Sequence, residues 1–401
     1  MIENIVKLAE SVEDEVIGYR RDLHRIPEIS YEIPQTAAYV ESKLRSFGIE
    51  KIRTNICGYG ITADIEGARP GKMIALRADM DALPVVENTG CEFASTHPGN
   101  MHACGHDGHT AMLLGAAKLL KEHCSEFDGT VRLIFQPAEE GPPPGGSHSL
   151  INEGVLDGVQ AIYGIHMQPM EPTGTVAFNL GTAMSALDCF TIELTGKGGH
   201  GSMPHKSIDA ITLSAQVINN IQYIISRQSD PMEPLVITIG TIEGGFLWNI
   251  IAETVKMTGT MRSYSQEVRK KALEDLERVI KSACDGVGAT YKFVNEPAVN
   301  PLINHYCASQ LLKETLEETI GADHVKIMRQ PATASEDFSN YLFKVPGTFM
   351  WLGCSSGEDT GYPLHHPQFA MDEKALKTGV ATHLAIVNKY LNTDVELYYD
   401  I

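Results

Sequence analysis

The chain of 401 residues carries 51 acidic against 32 basic side chains, a formal charge of −19, and is 43% hydrophobic. That length favours two domains over one large core, and the acidic excess argues against nucleic acid or an anionic membrane surface as the main partner. No apolar run approaches the roughly 20 residues that span a bilayer, the amino end MIENIVKLAESVEDEV lacks the form of a signal peptide, and eight scattered cysteines are too few for a disulfide scaffold. A folded cytoplasmic protein with mostly buried thiols is expected.

Residues 4–26 place Ile5, Leu8, Val12, Val16 and Ile17 at helical spacing, and residues 35–47 repeat the pattern before Gly48. Short branched runs at 59–65, 72–76, 130–135, 161–165 and 174–179 read as strands, and 108–123 as an apolar helix between them, which is the texture of an α/β domain. After Ser185 the order changes to strand 187–195, helix 207–226, strands 235–242 and 253–261, an amphipathic helix through QEVRKKALEDLERVIKSAC, and a strand near 291–294. This is the βαββαβ order of a ferredoxin-like α+β sandwich, inserted into the first domain. From Pro297 the α/β pattern resumes, with helices at 304–319 and 374–391 and a strand at 347–352. The expected boundaries are catalytic domain 1–184 and 296–401, inserted dimerisation or lid domain 185–295. One face of the inserted sheet lacks helical cover, and a second copy of the chain would cover it most economically.

Several segments put metal-type ligands on turns at element boundaries. MHACGHDGHTA holds Cys104, His106, Asp107 and His109 ahead of a helix, and thiolate with imidazole suits a borderline-soft ion such as zinc, while nearby carboxylates also suit manganese or cobalt. TVRLIFQPAEEG delivers Glu139 and Glu140 after a buried strand; adjacent acids are commonly a solvated pair, yet one can bind metal while the other accepts a proton. AIYGIHMQP ends a strand at His166, GYPLHHPQFA carries His365 and His366, and LRADMDALP carries Asp79 and Asp81, which share one side of an extended segment. Any of these histidines and acids could instead be structural.

Taken together, LRADMDALP, MHACGHDGHTA, FQPAEEG, GGHGSMPH, ASEDF and LHHPQF resemble, in order and spacing, the two-metal amidohydrolases and exopeptidases of peptidase family M20, the aminoacylase and carboxypeptidase superfamily. More narrowly, they resemble the branch containing hippurate hydrolase, indole-acetyl-amino-acid hydrolases, thermostable carboxypeptidase and N-acetyl-diaminopimelate deacetylase. The resemblance implies a two-domain dimetal exopeptidase-like fold. It also implies two divalent ions per subunit, zinc or manganese with cobalt or nickel as options, held by Cys104, His106, Glu140, His166 and His366, with Cys104 between the ions. Glu139 would be the general base and Asp81 would orient a ligand histidine. His200 would reach from the inserted domain to the tetrahedral intermediate, in many members in the partner subunit, and Asn249 and Arg262 would contact substrate. Without the resemblance, His200 reads as an exposed residue of a flexible hairpin and Arg262 as a surface strand residue. Glu336 and Asp337, which could be a helix cap, would lie near the metals.

The expected reaction is hydrolysis of the amide bond of an N-acyl amino acid, in a homodimer or dimer-based oligomer. Carboxypeptidase action on short peptides and N-acetyl-diaminopimelate deacetylation are the enzyme alternatives. A small-molecule or metal-binding protein without activity is the remaining one, and its signature, loss of Glu139 or of several ligands, is absent. One departure from the resemblance is GPPPGGSHS after Glu140, where three prolines stiffen the entrance.

Overall fold

A computed structural model of the protein describes residues 1–400. The chain forms two compact units, one of residues 1–183, 303–331 and 336–401, the other of residues 184–302 with 332–335.

The first unit is built on an eight-stranded sheet in the order Lys51–Ile56, Gly60–Glu66, Thr130–Gln136, Met73–Asp79, Ala161–Pro172, Gly347–Ser355, Val176–Asn179 and Val325–Met328. The four strands from Thr130–Gln136 to Gly347–Ser355 run parallel. Their sequences are almost continuous apolar runs, as strands covered on both faces require. Helix His106–Glu122 is buried along nearly its whole length and packs against helices Glu13–His24 and Ala375–Leu391. A Cβ at Gly115 would fall 2.5 Å from Val16 Cγ2, so glycine is what lets the first two of these helices close together.

The periodic stretch expected as one helix over 4–26 is two, Ile5–Ser11 and Glu13–His24, broken at Val12. Glu13, Asp14 and Glu15 fill the first turn after the break, where negative charge favours a new helix start. Strand Lys51–Ile56 has an alternating exposed pattern and sits at the sheet edge, which left it without a strong apolar signal in the sequence.

The second unit carries a four-stranded antiparallel sheet in the order Leu235–Gly244, Thr254–Ser263, Leu187–Thr195, Thr290–Val299. With helices Ala210–Arg227 and Gln266–Val287 this is the expected βαββαβ arrangement. Alternate residues Phe190, Ile192 and Leu194 bury against Leu213, Val217, Ile221, Leu276 and Ile280 of the helices. Asp209 caps the first helix by accepting from the Ile211 and Thr212 amides, and Ser265 caps the second through Val268 N–H. Strand Thr290–Val299 continues past residue 295, and residues 332–335 fold with this unit. No helix of the described residues is long and apolar enough to cross a membrane.

Candidate metal centre

The site grows from the carboxyl ends of the parallel strands, where ligands of open α/β sheets collect. Strand Met73–Asp79 ends in Asp79 and hands on to Asp81; strand Thr130–Gln136 ends just before the turn carrying Glu139 and Glu140; strand Ala161–Pro172 contributes His166. Cys104 precedes helix His106–Glu122, whose first residue is His106. Gly105 between them has φ of 85° and backs onto the Met167 side chain, so a left-handed residue without a Cβ fits the joint.

Asp81 fixes the acidic turn. Its two carboxylate oxygens accept the Glu139 and Glu140 amides, each at 3.0 Å, which holds both side chains in register beside His106. The Asp81 carboxylate also lies 3.5 Å from His106 Nδ1. His166 donates from Nδ1 to Met167 O at 2.8 Å, leaving the Nε2 lone pair facing Cys104 Sγ at 3.4 Å. His109, by contrast, is fully engaged: Nδ1 meets Asp79 Oδ1 at 2.5 Å and Nε2 accepts the Met167 amide at 2.8 Å. It reads as a structural residue under the cluster.

The structure brings His365, not His366, to this cluster. His365 Nε2 lies 3.3 Å from Cys104 Sγ and 2.8 Å from a Glu140 oxygen. His366 stacks on Tyr362, with ring centroids 4.8 Å apart, and its Nδ1 accepts the Gln368 amide. The reason is local. A residue before proline is pushed to extended backbone, so in HHP the reversal of the chain falls on His365, which adopts φ of 65° and donates its amide to Ala103 O. The expectation at His366 is therefore corrected: the histidine at the cluster is His365, one position earlier.

Metal-competent triads overlap: Cys104 with His106 and His166, Cys104 with Glu140 and His365, and His106 with Glu139 and Glu140. Cys104 belongs to two of the three. Both ring nitrogens of His106 are buried without a hydrogen-bond partner, which is costly for an imidazole unless a ligand takes one of them. The electrostatics are equally incomplete. Burial and the carboxylates of Glu140, Glu139 and Asp79 push the Cys104 thiol well above its usual range. Burial, with Glu336, Glu140 and Asp337, likewise raises Glu139 well above the carboxylate range. Burial works to raise Glu140, but the His365 hydrogen bond and the His106 charge outweigh it. Burial works to lower His106, yet Asp79, Asp81 and Glu140 raise it to about 10. A thiol, three imidazoles and two carboxylates converging with unmet charge and an unpartnered ring fit divalent cations.

Sequence reading missed the support beneath this cluster. Arg77, buried in strand Met73–Asp79, donates to Asp79 Oδ2 at 2.6 Å, Glu336 Oε1 at 3.0 Å, Asp337 Oδ1 at 2.9 Å and Gln136 Oε1 at 2.9 Å. The Asp337 amide in turn points at Glu139 Oε1 at 3.4 Å. Burial and the neighbouring carboxylates push Glu336 up to about 8 even with Arg77 beside it. The signal was available: an arginine inside an otherwise apolar central strand has to be paired. Arg77→Met is expected to destabilise the protein by about 3–5 kcal/mol, because it strands buried carboxylates. Denaturation midpoints of the two proteins measured side by side check this, and unchanged midpoints would show the network to be dispensable.

In the second unit, His200 and Asn249 are brought together: strand pairing sets His200 opposite Ile250, and the Gly201 amide donates to Asn249 O at 2.9 Å. His200 is exposed and its Nδ1 accepts the Ser202 amide at 3.2 Å, which leaves Nε2–H as the outward donor. The Asn249 Oδ1 is buried without a partner. Arg262 Nη1 donates to Thr333 O at 3.1 Å and Ser335 Oγ at 3.0 Å.

An α/β sheet with this donor set at its carboxyl edge is the framework of a metal-dependent hydrolase. Comparison with known proteins gives the family. The profile of peptidase family M20/M25/M40 matches residues 75–389. Thermostable carboxypeptidase 1 of Saccharolobus solfataricus is 40% identical over 396 residues, 98% of this chain and 99% of the relative. The N-acyl-L-amino acid amidohydrolase of Geobacillus stearothermophilus is 42% identical over 304 residues, 76% of this chain and 81% of the relative. The crystal structure of the YXEP protein of Bacillus subtilis, described as a dinuclear metal binding peptidase from the M20 family, superposes with a TM-score of 0.82 at 34% identity, covering 95% of this chain and 99% of that one. The chain belongs to peptidase family M20/M25/M40 and is an amidohydrolase or peptidase of that family.

Proposed function

We propose that the protein hydrolyses the amide bond of N-acyl amino acids with two divalent ions, zinc or manganese, held by Cys104, His106, Glu140, His166 and His365. The observation that carries this reading is the position of Glu139: it is fixed by Asp81 next to the overlapping triads yet is not needed to complete either triad that contains Cys104. Ions bound there supply Lewis acidity toward the amide carbonyl and a lowered pKa for the attacking water. Glu139 takes the proton from that water and passes it to the departing amine. Asp81 positions both acids and the His106 ring.

His200, with Nε2–H turned outward by its Ser202 contact, is assigned as a donor to the developing oxyanion. Asn249 and Arg262 are assigned to the substrate, the guanidinium to the carboxylate of the amino-acid product. The amidohydrolase relative supports an N-acyl substrate; the carboxypeptidase relative favours the second reading, a short peptide. Both leave an amine that carries a carboxylate, so kinetics must separate them. N-acetyl and N-benzoyl amino acids are expected to give a higher kcat/KM than dipeptides of the same leaving amino acid. The reverse order would make the protein a carboxypeptidase.

Pairing of two copies belongs to the same reading. Strand Leu235–Gly244 lies at an edge of its sheet, and the turn after it exposes Phe246 and Trp248 at 84% and 92%. Light scattering is expected to give the mass of a dimer, and Trp248→Asp to shift it toward monomer; a monomeric parent protein would end this part of the proposal.

A further inference from the structure

A second set of ligand-type side chains lies in the first unit, outside the cluster at Cys104. His24 ends helix Glu13–His24, and the irregular segment after Ala82 brings Glu87 and Cys91 against it. Glu87 is anchored there: its Oε2 accepts the Ser95 amide at 2.7 Å and its Oε1 accepts the Thr89 hydroxyl. The same Oε1 is 3.2 Å from His24 Nε2 and 3.7 Å from Cys91 Sγ. All three ligand atoms lie within 4.8 Å of one another.

As they stand, these are hydrogen-bonding separations, and they are also those that two ligand pairs would keep around an ion. With zinc–nitrogen and zinc–oxygen bonds near 2.0–2.1 Å and a zinc–sulfur bond near 2.3 Å, the edges of a tetrahedron are roughly 3.3 Å from N to O and roughly 3.6 Å from O to S. The other face of the imidazole is prepared in the way metal-binding histidines usually are. His24 Nδ1 meets Asp107 Oδ2 at 2.8 Å, and that carboxylate is held from behind by Arg20 Nε at 2.8 Å. A carboxylate on Nδ1 fixes the ring and directs the Nε2 lone pair at the ion. A thiolate and a carboxylate neutralise a divalent charge, and three protein ligands leave a fourth position open. That position has a path to solvent, because His24 and Cys91 line a cavity of about 390 Å³ together with Thr89, Phe93, Ser356 and Thr360.

We propose that His24, Glu87 and Cys91 form a third, separate divalent-cation site, with zinc as the ion its thiolate, imidazole and carboxylate suit. Binding replaces the protons on Cys91 Sγ and His24 Nε2 and ties the 84–100 segment to helix Glu13–His24.

The test compares the intact protein with Cys91→Ala, a half-buried position outside the hydrolytic machinery. After equilibration with low-micromolar zinc and removal of excess, the parent protein is expected to retain one more zinc per chain than Cys91→Ala, with equal initial rates of amide hydrolysis. Loaded with cobalt, the parent-minus-variant difference spectrum is expected to show a thiolate-to-cobalt charge-transfer band. Cys104 is present in both proteins and cancels from that difference. Cys91→His, which restores a ligand without sulfur, is expected to recover the zinc count without the band. A flat cobalt difference spectrum overturns the site whatever the zinc counts, and leaves His24 as an imidazolium clamped between Asp107 and Glu87.

Discussion

Glu139→Gln is expected to lower kcat by roughly 10²- to 10⁴-fold, the range a positioned general base contributes, while the metal content stays at that of the parent protein. Glutamine keeps the shape of the side chain, and Asp81 grips the backbone amides of residues 139 and 140, so the turn survives the change. What disappears is an oxygen able to take a proton. Binding of substrate needs no proton transfer, so KM should move far less than kcat. Glu140→Gln provides the contrast: it weakens a donor shared with His365 and Cys104, and should lower metal affinity together with rate. If Glu139→Gln turned over at the parental rate, the base would have to be sought elsewhere; if it lost metal instead, Glu139 would be a ligand.

That contrast turns on a distinction the sequence could pose but not decide. Two adjacent acids after a strand are compatible with a solvated pair, and nothing in QPAEEG shows which carboxylate faces the cluster. The decisive contact comes from Asp81, 58 positions before Glu139, through backbone amides that carry no side-chain signature. The main elements were legible because their periods are strong: Leu187–Thr195 alternates in burial, and Gln266–Val287 presents Ala272, Leu276, Val279, Ile280 and Ala283 on one buried stripe. Elements that depend on pairing more than on pattern were not, among them the edge strand Lys51–Ile56 and the two-residue pairing of His200 with Ile250. The break at Val12 has the same origin. An apolar residue continues the helical period there, and only the acidic run that follows favours a restart. The pairing of Arg77 is hidden for the opposite reason, since its partners Glu336 and Asp337 lie 259 and 260 positions away.

The histidine pair isolates the smallest such error, a single position, and yields the sharpest comparison. His365→Ala is expected to weaken metal binding by more than the roughly 10–100-fold that loss of an outer-sphere partner costs, and to reduce hydrolysis with it. His365 approaches Cys104 Sγ and Glu140 at once, so its removal opens the triad on the side where the cluster meets solvent. His366→Ala removes a ring stacked on Tyr362 and an acceptor for the Gln368 amide, neither of which touches the cluster. It should therefore keep the parental metal affinity, measured by competition with a coloured chelator, and most of its kcat. The same logic extends to the backbone. Pro367 confines His366 to extended conformations and so leaves the left-handed turn to His365; Pro367→Ala releases that restriction. A modest loss of metal affinity in Pro367→Ala, with both histidines still present, would tie the ligand position to the proline. The opposite ranking, His366→Ala losing metal and His365→Ala retaining it, would show that in solution the loop turns one residue later than the structure has it.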